Sequence, residues 1–274
     1  MMKELCRRVV ILGLDGAGNS VKDADAPNIK GLFAQGAYTY EARTEFPSIS
    51  AECWGGLFHG VGFPEHGINH KIIDKRPCPE DLPYPSFMKV LRQQRPDAKL
   101  ASLVNWEPIN IGIIEESCEC LKRSAPDDEI TTQIVDYIRD NDFTALFVQL
   151  DDVDHYGHAD GYWTKSFYDQ VHRTDANVGK ILSALDAKGI ADETLVIVCA
   201  DHGGGGHGGP TNHGSDHARD MTIFWGCRGP GVRRGILKGE VNIRDTAAVT
   251  ARALGLRAPA SWTGRVPGRL FEED

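Results

Sequence analysis

Three apolar runs in this chain each end on acid. Residues 9–14 lead into Asp15, and residues 195–200 lead into Asp201 and His202. Residues 143–150 lead into Asp151, Asp152 and Asp154, with His155 and His158 behind them. Continuous apolar runs rich in β-branched residues are the pattern of strands buried on both faces of a parallel sheet. In such sheets ligands bind beyond the carboxyl ends of the strands. Carboxylates and imidazoles from three distant parts of the chain then meet at one edge. Oxygen and nitrogen donors of this kind suit Zn²⁺ and similar divalent ions, so the pattern is that of a multinuclear metal site. Taken singly, each feature has a plainer reading. Asp15 in Asp-Gly-Ala-Gly-Asn suits a helix cap, His155 or His158 an ordinary polar loop, and Asp201-His202 a cap and its partner. The same ligand chemistry at three strand ends weighs against coincidence.

The elements that must hold these residues alternate between strand and helix. Beyond the three runs, the pattern predicts a short helix from Asp25 through Gln35, a strand over 38–42, and a helix over 51–59. Residues 60–85 are rich in Gly, Pro and His and lack periodicity, as functional rims often do. A helix is expected over 86–94 and a strand over 99–104, whereas 105–123 gives no clear pattern. Residues 126–140 open with Pro-Asp-Asp-Glu and carry Ile130, Ile134, Val135 and Ile138 on one face, which predicts an amphipathic helix. A long helix is expected over 163–188, closed by Gly189. The Gly/His-rich loop 203–216, a strand over 221–225 and a helix over 246–254 complete an α/β pattern. No repeat or linker composition divides residues 1–274, so a single catalytic domain is expected, with 60–123 as the substrate rim.

With 274 residues, 41% of them hydrophobic and 25% charged, the chain can bury a sizeable core. Its net charge of −9 argues against binding a nucleic-acid duplex through a basic face. Bound cations would reverse the local potential for an anionic substrate. The seven cysteines form no framework spacing, and Cys199 falls inside an apolar strand. Residues 1–8 do not resemble a signal peptide, and no stretch has membrane-spanning length. The expectation is a reducing, cytoplasmic setting, with no membrane association.

An ordered series of short motifs carries a family resemblance. It comprises Leu14-Asp15-Gly16, Ala26-Pro27-Asn28-Ile29 with Leu32, Phe46-Pro47-Ser48-Ile49-Ser50, Gly60 through Ile68, Asp154-His155-Tyr156-Gly157-His158, Ala200-Asp201-His202-Gly203-Gly204 and Gly229-Pro230-Gly231. Running over about residues 9–235, the series resembles the alkaline phosphatase superfamily, most closely its type I phosphodiesterase/nucleotide pyrophosphatase branch. The resemblance implies a three-layer α/β/α sandwich with a mostly parallel central sheet. It implies two divalent metal ions, Zn²⁺ first, with Mn²⁺ or Mg²⁺ as alternatives. One ion would be held by Asp154, His158 and a later histidine, the other by Asp15, Asp201, His202 and the nucleophile. Of His207, His213 and His217, the resemblance selects His213, at the family's distance before the next strand. His207 comes second, and His217 reads as a rim residue. The nucleophile falls on Ser50 rather than Ser48, and Ser50 also suits a helix N-cap. A phosphoseryl intermediate follows, formed by in-line displacement. Asn69 falls near the position that donates to a phosphoryl oxygen in relatives. Asp175 reads either as a partner of a metal ligand or as a solvated helical acid. The substrate implied is a small phosphate ester or nucleotide.

Other readings are weighed against these residues. A sulfatase needs Cys or Ser in a C/S-x-P-x-R context, and Ser50-Ala51-Glu52-Cys53 lacks the Pro and Arg. A phosphomonoesterase adds a cation for the extra charge, for which Arg43 and Lys71 are near enough in sequence. A catalytically silent metal-binding protein would be expected to have lost ligands or Ser50. The glycines at 203–206 lack the GxxxxGK[ST] pattern and instead suit close backbone packing beside the ligands. Tyr156, Tyr162 and Trp163 read as core or rim packing, with stacking on a substrate as the alternative.

Overall fold

A computed structural model describes residues 3–272, and in it the three acid-ended runs lie side by side. Strand β1 (Arg8–Leu14) is followed by α1 (Pro27–Ala34), β2 (Ala37–Arg43), α2 (Ser50–His59), α3 (Phe63–His66) and α4 (Phe87–Gln94). Next come β3 (Leu100–Val104), α5 (Pro108–Gly112), β4 (Leu121–Ser124), α6 (Asp127–Asp140), β5 (Ala145–Leu150), α7 (Asp152–Asp160) and α8 (Lys165–Lys188). The order is completed by β6 (Thr194–Ala200), α9 (Ala218–Met221), β7 (Thr222–Arg228), β8 (Gly235–Ile236) and α10 (Asp245–Ala253).

These strands form an eight-stranded sheet of order β4-β3-β5-β1-β6-β7-β2-β8. The first five in that order run parallel, while β7 is antiparallel to both β6 and β2. Strand β1 lies between β5 and β6, and Leu14 stands level with Leu150 on one side and Ala200 on the other. The next residues, Asp15, Asp151 and Asp201, are therefore delivered to one edge. Register converts three separate sequence features into one cluster. Helices α1, α6 and α7 pack on α8, while α3, α4 and α10 gather around α2. With the sheet between them these groups make the α/β/α sandwich. Between the sheet and α2, Phe147 meets Trp54 and Phe58 at ring distances of 5.6 and 4.6 Å. Gly13 makes room for this packing, since a Cβ there would stand 2.3 Å from the Trp54 ring.

Local chemistry explains where sequence and structure part. Asp175 is buried, and its carboxylate accepts from the backbone of Asn28 at 3.0 Å and of Ile29 at 2.8 Å. It satisfies the first-turn amides of α1 from another helix, and so is neither a solvated acid nor a partner of a metal ligand. The unreadable stretch 105–123 holds a helix of five residues, a 3-10 turn of three and most of a four-residue edge strand that is largely exposed. Too short to show a period, such elements leave little trace in a sequence. Helix α7 buries only Val153, Asp154 and Gly157, so it lacks an apolar stripe and reads as a loop. Among the described residues all seven cysteines are free, and no helix is long and apolar enough to cross a membrane.

Candidate functional site

Two donor groups assemble at the strand ends. The first joins Asp15, Asp201 and His202, whose ligand atoms lie within 4.8 Å of one another and which are all buried. Ser50 completes it, with Oγ 3.0 Å from His202 Nε2 and 3.3 Å from Asp15 Oδ1. Ser50 is the first residue of α2 and Ile49 occupies the cap position, so the Ser50 hydroxyl does not serve as an N-cap. It faces the carboxylates instead. The other oxygen of Asp15 accepts from Trp54 Nε1 and from Gln149 Nε2, both at 2.9 Å. Asp201 Oδ1 accepts from the backbone of Gly16 and of His202. Its Oδ2 is buried with no hydrogen-bond partner, 3.5 Å from His202 Nε2.

The second group joins Asp154, His158 and His213. His158 Nε2 lies 3.2 Å from Asp154 Oδ2 and 3.2 Å from His213 Nε2. Helix α7 sets the four-residue spacing of Asp154 and His158 and puts both on one face. The ring of His213 stacks on that of His202 at 3.9 Å, joining the two groups. His207 is well exposed and lies 3.8 Å from Asp216, and His217 accepts from the backbone of Arg219. Neither belongs to the cluster. Tyr162 donates its hydroxyl to Asp154 Oδ1 at 2.5 Å, a contact to the site rather than simple core packing.

All three histidines of the cluster are locked in the same sense. Nδ1 of His158 meets the Thr211 carbonyl at 2.7 Å, that of His202 the Gly203 carbonyl at 2.9 Å, and that of His213 the Ser48 carbonyl at 2.8 Å. A carbonyl accepts only, so Nδ1 carries a hydrogen and Nε2 is the ring atom turned inward, able to ligate a cation once it gives up any proton it shares with Asp154. This is the arrangement in which metal-ligating imidazoles are usually oriented.

The charges tell the same story. Burial and Asp154 push the carboxyl of Asp15 above its ordinary range, and burial and Asp15 push Asp201 well above it. Asp151, which the spacing of the motif passed over, is half-buried beside them and raised to about 8 by desolvation and Asp15. Burial opposes ionisation of Asp154, yet the hydrogen bond from His158 and the nearby His202 and His213 hold it below the usual range. The hydrogen bond with Asp154 lifts His158 to about 9, while burial and His202 press His213 down to about 3. Gathered carboxylates and converging lone pairs repel one another in a low dielectric unless positive charge lies among them. The donor set therefore fits divalent cations.

A cavity of about 660 Å³ opens beside both groups. Ser50, Asp154, His158 and His213 line it, and Asn69 and Lys71 lie in its wall. Phe63 and Trp106 add aromatic surface, with His70 stacked on Trp106 at 5.6 Å. Arg43 lines a different, smaller cavity with Arg244 and Arg265. The rim expected over 60–123 thus contributes Phe63, Asn69, His70, Lys71 and Trp106. Gly204 lets the backbone close on the site, since a Cβ there would stand 2.4 Å from the Tyr162 ring. Sequence reasoning missed the roles of Trp54, Gln149, Asp151 and Tyr162. A glutamine inside an apolar run and an acid directly at its end were signals for two of them. For Trp54 and Tyr162 the sequence holds none.

Known proteins resemble this chain in part of its sequence and in its fold. Residues 76–207 match the family model "Type I phosphodiesterase / nucleotide pyrophosphatase". The matched span includes Asp154, His158, Asp201 and His202, while Asp15, Ser50 and His213 fall outside it. A GPI ethanolamine phosphate transferase 3 from Schizosaccharomyces pombe is 32% identical over 100 residues, covering 36% of this chain and 10% of that protein. The chain spans between a tenth and under a third of the curated relatives it matches. A 2-O GAG sulfatase superposes with a TM-score of 0.77 at 13% identity, covering 97% of this chain and 74% of that one. Murine ectonucleotide pyrophosphatase/phosphodiesterase 5 superposes with a TM-score of 0.72 at 13% identity, covering 92% and 96%. An inactive form of that murine protein has been solved with AMP.

Proposed function

We propose, for a chain of the alkaline phosphatase superfamily with a type I phosphodiesterase/nucleotide pyrophosphatase match, that it hydrolyses phosphate diesters through a phosphoseryl intermediate on Ser50. The observation that carries this reading is the common locking of His158, His202 and His213, whose Nε2 atoms face the carboxylates and Ser50. Asp154, His158 and His213 would hold one divalent ion, and Asp15, Asp201, His202 and Ser50 the other, with Zn²⁺ best suited to the donors. Bound there, such ions supply the positive charge that ionises a serine hydroxyl and neutralises phosphoryl and leaving oxygens.

The chain's own residues account for the rest. Ser50 Oγ gives up its proton to solvent and forms the bond to phosphorus as the bond to the leaving alkoxide breaks, and that alkoxide takes up a proton from water, so no net proton is gained or lost. Water then cleaves the phosphoseryl bond and restores the hydroxyl. The N-terminus of α2 stands behind Ser50, and its positive end favours the anionic oxygens. Trp54 and Gln149 fix Asp15 against Ser50. Asn69, in the cavity wall, would donate to a phosphoryl oxygen with the amide hydrogen that its bond to the Gly67 carbonyl leaves.

Diester preference rests on charge. Apart from histidines, Lys71 is the one cationic side chain among the described residues lining the cavity, against Glu52, Asp151 and Asp154. A monoester dianion would need more positive charge than this wall offers. Ile49, Phe63 and Trp106 offer apolar surface to an organic group such as a nucleoside, consistent with the AMP complex of the murine relative. Hydrolysis of bis-p-nitrophenyl phosphate, p-nitrophenyl phosphate and a p-nitrophenyl nucleotide ester, together with metal analysis, tests the reading. The diesters should be cleaved faster than the monoester, and Ser50→Ala should fall to background on all three. Full activity in Ser50→Ala, or in metal-free protein, would refute it.

A further inference from the structure

We infer that Tyr162 is a positioning residue for the Asp154–His158–His213 group, holding the Asp154 carboxylate so that its Oδ2 is presented on the His158 side. The inference rests on the two-ion reading above and concerns how this chain prepares one of the two donor groups. Tyr162 lies just after α7, 4% exposed, and its hydroxyl donates to Asp154 Oδ1 at 2.5 Å. That bond occupies the oxygen turned away from His158, since Oδ2 is the one 3.2 Å from His158 Nε2. The same oxygen is crowded by the backbone after β1, where a Cβ at Gly16 would stand 2.2 Å from Asp154 Oδ1. Oδ1 of the carboxylate is thus held by the Tyr162 hydroxyl and closely approached by the backbone after β1.

The phenol ring is itself tightly seated. A Cβ at Gly157 would stand 2.5 Å from it, and a Cβ at Gly204 2.4 Å. Two elements, α7 and the loop after β6, therefore carry glycine where this ring passes. The ring also lies edge-on to His158 at 5.9 Å and to His213 at 6.3 Å. One side chain touches every member of the group. A residue needed only to fill space would not require a hydroxyl at this place, because Phe fills nearly the same volume. The hydroxyl is the part that acts on Asp154, as partners of metal ligands do when they fix orientation and basicity.

Tyr162→Phe tests this by removing the hydroxyl and keeping the ring. Binding of Zn²⁺ alone to metal-free protein is followed by titration calorimetry, with melting of the metal-free form measured on the same samples. Wild type should bind two ions. In Tyr162→Phe one of them should weaken by about 10- to 100-fold, the usual cost of losing such a partner, while the other keeps its affinity. Both ions bound with wild-type affinity would overturn the role of Tyr162 and leave the two-ion reading standing. Wild type that takes up no ion would overturn that reading and this inference with it. A variant that fails to fold would show the hydroxyl to be part of the core, which also overturns the inference.

Discussion

Gln149→Leu is the most direct test of how the fold prepares its nucleophile site. Gln149 is fully buried near the end of β5, in a strand otherwise lined by apolar residues. Its Nε2 donates to Asp15 Oδ2 at 2.9 Å and to Asp151 Oδ1 at 2.8 Å. Its Oε1 accepts from the backbone of Trp106 at 2.8 Å and of Asn105 at 3.1 Å. One amide therefore ties two carboxylates to the segment that brings Trp106 to the cavity. Leucine is close in size and deletes all four contacts. A hydrogen bond to a charged group contributes about 1.5–3 kcal/mol, and a buried N–H left without a partner costs about 1–3 kcal/mol. The Asn105 amide keeps its bond to the Gln149 carbonyl, so Trp106 is the one backbone donor stranded. Setting the apolar gain of leucine against these losses leaves about 4 kcal/mol of destabilisation. For a chain of this size that lowers Tm by about 10 °C. Thermal and urea unfolding of metal-free wild type and variant measure it, and a variant melting within a degree or two of wild type would refute the bookkeeping. Activity should fall as well, because Asp15 loses one of the two donors that aim it at Ser50.

The choice among loop histidines is settled by paired variants. His213→Ala should lose one ion and more than about 100-fold in kcat/KM, beyond the cost of losing a supporting partner, whereas exposed His207→Ala should change neither; the opposite pattern would move the ligand. Stability should also respond to Glu52, which burial raises from 4.5 to about 7. The folded chain keeps this proton up to about 7 while the unfolded chain releases it near 4.5, so unfolding free energy falls as pH rises through that window. Glu52→Gln should flatten the fall, by about 2 kcal/mol, in urea midpoints taken on either side of the window; an unchanged slope would show that Glu52 titrates normally.

Much of this molecule is written locally. The runs ending at Asp15, Asp151 and Asp201 are apolar because their strands are covered on both sides, and a continuous run identifies such a strand without knowledge of its neighbours. Helices α6 and α8 show their periodicity for the same reason: each packs one face and leaves the other in water. The spacing of Asp154 and His158 and the adjacency of Asp201 and His202 are properties of the chain. Even Ser50 was placed by motif order. Helix α7 was not readable, because a helix whose buried face carries a ligand acid and a glycine has no apolar stripe to show.

What the tertiary structure decided is which atoms face one another. His207, His213 and His217 are equivalent as residues in a Gly-rich loop, and the Ser48 carbonyl distinguishes His213 by turning its Nε2 toward Asp154. Asp175 looks like any helical acid until α1 is laid against it, where two backbone amides await a partner. Trp54 and Tyr162 carry no mark in the sequence, since their roles arise from partners 39 and 8 residues away, and Gln149 stands out in its apolar run without showing its partner 134 residues off. Chemistry of type and spacing is local and survives in a string of letters. Orientation of a carboxylate, or the tautomer of an imidazole, is fixed by groups that only the folded sheet brings within hydrogen-bonding reach.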